Sequence, residues 1–161
     1  MKISRTKEQL ITELTSYIEN GYLDINSFDN PPEEAATALM ELHFINGAAC
    51  ETFCRKIMLS SDVGDVYLDS LCLRHLFDLN KNYALEYVAA QVENMPAPVL
   101  GAAMDGLFQY SNTSFRAAFS EDLIAQLYAR YDEVAQDPYV RKRLASTYDF
   151  FSVAYPRKIS R

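Results

Sequence analysis

Two histidines and three cysteines are the side chains here best suited to nucleophilic or metal chemistry. His43 and His75 stand 32 positions apart, and neither belongs to a His-x-x-x-His or His-Glu pattern that would aim two ligands from one helix at one metal. Cys50 and Cys54 are four apart and share a helix face, with Cys72 and His43 near them in the register of the repeat described below. A structural zinc site normally shows closer Cys-x-x-Cys pairs with a turn between ligands. Cysteine is also among the residue types most often buried in ordinary cores. These spacings therefore predict free thiols in a core and partly buried histidines with satisfied hydrogen bonds, with no metal and no cofactor.

Carboxylates give no catalytic pair either. Glu33-Glu34, Glu121-Asp122 and Asp132-Glu133 are adjacent, and neighbours at i,i+1 diverge around a helix. The run "GAAMDG" from Gly101 to Gly106 lacks the Gly-Lys-Ser/Thr of a phosphate loop. Its small residues suit a close approach of two helices. Without a convergent acid, base and nucleophile, the expectation is a binding protein rather than an enzyme.

The elements that position these residues read as helices throughout. Thr6 with Gln9 forms a capping box, apolar residues follow from Leu10 to Ile18 at helical spacing, and Gly21 suits a left-handed stop. "GYLDINSFDN" has no sustained period and reads as a loop. Asn30 and Pro31 open a second helix that should bury Ala38, Leu39, Leu42 and Ile45. A third covers about 48 to 59, and a fourth starts at Ser61 or Asp62 with Leu68, Leu71, Cys72, Leu76 and Leu79 apolar. Further helices are expected at about 82–93, from Pro96 or Pro98 to Tyr110, from Ser120, and from Asp137-Pro138 to about Ala154. No alternating strand and no Asn-Gly or Asp-Gly hairpin turn is present. The fold class is all-α, with antiparallel helix pairs stacked as a short array or an irregular bundle.

A repeat underlies the pattern. Leu68, Leu71, Leu76, Phe77 and Asn80 align with Val99, Ala102, Leu107, Phe108 and Ser111 at an offset of 31. A fainter copy aligns Leu42, Asn46 and Phe53 with Leu76, Asn80 and Tyr87 at an offset of 34. Such periods mark stacked helix pairs that bury apolar faces against their neighbours. The spacing Leu68, Leu71, His75, Leu76, Leu79, Asn80, Ala84, Leu85 resembles a degenerate HEAT-type repeat, and "DPYVR" from Asp137 to Arg141 is similar to the opening of that family's first helix. The resemblance covers residues 34 to 150. His75 and Glu41 stand where the family usually has small residues.

At 161 residues and 49% hydrophobic content the chain fits one domain with its own core: an N-terminal helix and acidic loop (1–30), helix-pair repeats (31–155) and a basic tail (156–161). A net charge of -7 argues against nucleic acid as a partner, because phosphate contacts need clustered Lys and Arg. No signal peptide or membrane-spanning run is visible, and the odd thiol count fits a reducing cytoplasm.

Charge is distributed unevenly. From Glu8 to Cys54 the chain has nine acids and no Lys or Arg, while from Arg141 onward six bases face Asp149 alone. The acidic residues Glu19, Asp24, Asp29, Glu33, Glu34 and Glu41, extended by Asp62, Asp65 and Asp69 and joined by Tyr22 as an aromatic anchor, form the expected contact surface. A small acidic helical chain of this kind resembles the immunity proteins of bacterial toxin systems, including contact-dependent growth inhibition. That resemblance implies a cytoplasmic protein that binds and neutralises a cognate, basic, nuclease-like toxin domain. The alternative is a HEAT-like scaffold or regulatory subunit of an endogenous complex. Oligomeric state is not legible in the sequence.

Overall fold

The computed structural model describes residues 5–60 and 62–158. Among these residues the secondary structure is helical, with eight α-helices and two short 3-10 turns. They are α1 (Lys7–Asn20), α2 (Pro31–Ile45), α3 (Gly47–Leu59), α4 (Val66–Leu79), α5 (Lys81–Gln91), α6 (Ala97–Gln109), α7 (Glu121–Val134) and α8 (Pro138–Ala154). Among the described residues no helix is long and apolar enough to cross a membrane.

Helix ends follow the caps that the sequence supplies. Both bonds of the Thr6–Gln9 capping box are made, at 2.8 and 3.1 Å, and Gly21 ends α1 at φ 84° with its N–H on the Tyr17 carbonyl. Asn30 caps α2 and Ser120 caps α7, each accepting the N–H three residues on. The start expected at Ser61 or Asp62 is corrected: α4 begins at Val66, and Asp65 is its cap, accepting the Leu68 N–H at 2.9 Å. Ser61, together with Lys2 and the tail residues 159–161, lies outside the described residues.

The repeat reappears in the helix boundaries. An offset of 34 carries α2 onto α4 and α3 onto α5, and Asn46 and Asn80 are the single residues that join each pair. An offset of 31 carries the start of α4 onto that of α6, but in place of a following long helix there is only a 3-10 turn at Ser114–Ala118.

The chain divides into two units, Met1–Lys81 and Asn82–Arg161. In the first, α2 packs on α1, α3 and α4, and α3 also packs on α4. The core comprises Leu10, Leu14, Leu39, Leu42, Ile57, Leu73 and Leu76, all fully buried. Gly47 permits the close approach of α3 to α4, since a Cβ there would stand 2.9 Å from Leu79 Cδ2. In the second unit, α6 packs on α7 and α8 around Leu100, Met104, Leu107, Leu127 and Phe151. Gly101 plays the part expected of its small-residue run, with Leu144 Cδ2 3.0 Å from where its Cβ would be. Tyr155 donates its hydroxyl to the Leu107 carbonyl at 2.7 Å, which fixes the end of α8 against α6. Ile45 and Leu71, expected inside, are 49% and 38% exposed because the helix stripe in each case is narrower than its apolar sequence.

Candidate functional site

The loop between α1 and α2 has no repeating structure, yet it is held by a dense set of short-range bonds. Ser16 donates to the Tyr22 carbonyl at 2.8 Å, and Leu23 is buried beneath the loop. Asp24 accepts the Asn26 N–H at 2.9 Å on Oδ1, and its carbonyl accepts from Ser27 N. Ser27 donates its hydroxyl to Glu34 Oε1 at 2.8 Å and accepts the Asp29 N–H at 3.2 Å. Asx and Ser side chains hold turns in this way by substituting for backbone partners.

This framework directs two apolar side chains outward. Phe28 is fully exposed and Ile25 is 72% exposed, flanked by the exposed carboxylates of Asp24, Asp29 and Glu33. No described Lys or Arg pairs with any of those three acids, nor with the exposed Glu19 and Asp62. An exposed aromatic ring in an ordered loop with carboxylates around it has the chemistry of an interface anchor.

The ten residues expected at the contact surface divide by role. Glu19, Asp24, Asp29, Glu33 and Asp62 are exposed and face solvent. Glu34 is tied to Ser27, and Glu41 takes the Arg5 guanidinium at 3.1 Å while Glu13 takes the same group from α1. Asp65 is occupied as a cap. Asp69 is half-buried with an Oδ1 that has no partner; burial and the nearby Asp65 charge push its carboxyl up to about 6. Asp65 and Asp69 also act on Tyr17, whose phenol is pushed up to about 12, first by burial and then by these charges. Tyr17 donates to the Val63 carbonyl at 3.2 Å, so the 62–65 turn lies against α1. Tyr22 is half-buried, whereas Phe28 in the same loop is fully exposed. Helical periodicity could not have found Phe28, because a loop has no period.

A second cluster lies on the α2, α3 and α4 side of the same unit. His43 and His75 meet across α2 and α4 with Nδ1 to Nδ1 at 2.7 Å and ring centroids 4.9 Å apart. Cys50 Sγ, on α3, completes a group of three ligand atoms that all lie within 4.8 Å of one another. Cys50 Sγ is also 3.9 Å from Cys54 Sγ, and all three thiols are buried and free. The expectation of buried thiols and half-buried, hydrogen-bonded histidines thus holds, but treating each histidine separately missed their convergence. The available signal was their separation of 32, close to both repeat offsets, which places them on equivalent helices.

In the second unit, a cleft of about 390 Å³ runs beside Arg116, Tyr128, Tyr155 and Arg157. Its charges are internally matched: Arg157 pairs with Asp132, Lys158 with Glu121, and Arg116 donates to the Ala154 carbonyl. The chain matches no family model, and no curated protein is found similar to it.

Proposed function

We propose that the chain is a protein-binding inhibitor of the immunity type, acting in the cytoplasm on a cognate bacterial toxin domain with a basic, nuclease-like surface. The observation that carries this reading is the α1–α2 loop, where a fully exposed Phe28 stands among Asp24, Asp29 and Glu33 with no Lys or Arg pairing with them among the described residues. Phe28 supplies apolar area for a pocket on the partner, and the carboxylates occupy positions that nucleic-acid phosphates would take on a basic surface. Because the loop is already ordered by Ser16, Asp24, Ser27 and Asn30, little further entropy is lost on binding.

The test is co-expression with the products of the genes adjoining this one, among which the proposal expects a basic, growth-inhibiting toxin domain. Wild-type chain should restore growth, and Phe28→Ala combined with Asp24→Lys and Asp29→Lys should not, although the variant still folds. A neighbouring domain that is not basic, or growth restored equally by the variant, would contradict the proposal.

A further inference from the structure

We propose that His43, Cys50 and His75 form a binding site for a borderline-soft divalent transition metal of the zinc class, with one coordination position open to solvent. The proposal is independent of the partner-binding reading, because these residues lie outside the α1–α2 loop.

Three helices each contribute one donor atom, and the three donors converge within 4.8 Å. The donor set is two imidazole nitrogens and one sulfur, which selects zinc-like ions over the hard oxygen-seeking cations. Tetrahedral zinc, with bonds of about 2.0–2.1 Å to nitrogen and about 2.3 Å to sulfur, places its ligand atoms roughly 3.3–3.6 Å apart. The 2.7 Å between the two Nδ1 atoms and the upper bound of 4.8 Å for the group bracket that spacing, so small side-chain rotations would seat an ion.

The two imidazoles also form an unusual pair without an ion. Nδ1 faces Nδ1, so one ring must donate a proton to the other, and double protonation would put two positive charges in contact. On binding, Cys50 would lose its thiol proton to solvent. Each Nδ1 would present a lone pair, with the shared proton moved to the outer nitrogen of its ring.

Access and surroundings suit such a site. Cys50 is fully buried, whereas the histidines border a cleft of about 380 Å³ lined also by Met40, Phe44, Leu71, Arg74 and Asp78, so its rim carries one base and one acid. That cleft is the route by which an ion would reach the two histidines from solvent. Asp78 lies one turn on from His75 along α4 and lines the same cleft.

The full-length chain, stripped with a chelator, should be titrated with Co²⁺ and followed by absorption spectroscopy. We expect one equivalent to give a thiolate-to-cobalt charge-transfer band with the intense visible bands of a tetrahedral ion, and Zn²⁺ to abolish both. Cys50→Ser should remove the charge-transfer band, and His43→Asn or His75→Asn should weaken Co²⁺ affinity at least tenfold. Cys72→Ser, a control in the same core, should leave the spectrum intact. Circular dichroism establishes that each variant remains helical; if one unfolds, the wild-type titration and the remaining variants decide. Absence of the bands in folded wild-type chain, or their survival in folded Cys50→Ser, would overturn the site.

Discussion

Asp69 shows how a single carboxylate in the acidic unit can cost stability. Its Oδ1 is buried without a partner, and its carboxyl is raised to about 6 against an ordinary value near 3.8. The folded state therefore holds a proton that the unfolded chain has released between about pH 4 and 6, so this residue's contribution to stability falls as pH rises through that window. Asp69→Asn should stabilise the protein at pH 7 by about 1–2 kcal/mol, after discounting for its partial contact with solvent. At pH 3.5 the variant and wild type should have nearly the same stability. Urea denaturation at the two pH values measures the difference, and a gain of equal size at both would contradict the assignment. Phe28→Ala makes the opposite kind of prediction. Because the ring packs against nothing, its loss should shift the urea midpoint negligibly (within about 0.5 kcal/mol), while partner affinity drops by about 2 kcal/mol or more.

At the scale of elements, helix ends are fixed by a few residues whose effects are separable. Gly21 ends α1 at φ 84°, so Gly21→Ala should cost about 1 kcal/mol, read as a lower urea midpoint. Asn46 serves two helices: its N–H bonds the Leu42 carbonyl at the end of α2, and its Oδ1 accepts the Ala49 N–H at the start of α3. Asn46→Ala should therefore cost about 1 kcal/mol and increase hydrogen exchange at Ala49 while that at Leu14 is unchanged. Helix content was legible because caps and 3.6-residue periodicity are local. The positions of Thr6, Asn30, Ser120 and Asp137 marked four helix starts directly. The fourth helix was placed too early because Asp62 and Asp65 are equally good caps, and only packing of the 62–65 turn on Tyr17 selects the second. The His43–His75 contact depends on how α2 and α4 meet, which no local pattern records. The exposure of Phe28 was not legible for a related reason, since it is set in a loop by the hydrogen bonds of Ser27 and Asp24 rather than by spacing.

Over the whole molecule, the charge imbalance belongs to one unit. Residues 1–81 contain thirteen acids and seven bases, whereas residues 82–161 are close to balanced, with nine acids and eight bases. Within the first unit, Arg5 is held by Glu13 and Glu41, which leaves the exposed loop acids without a counter-charge among the described residues. A field of this kind acts mainly on the rate at which an oppositely charged partner arrives, and salt screens it over about 8–10 Å. The most direct test is the rate of association with the partner that the proposed function expects, a basic toxin domain, measured by stopped flow from about 50 to 300 mM salt. The wild-type rate should fall steeply with salt, and the triple variant Asp24→Lys, Asp29→Lys, Glu33→Lys should associate at least tenfold more slowly at low salt with a flatter dependence. Equal rates and equal salt slopes for the two proteins would show that the α1–α2 loop is not the contact surface.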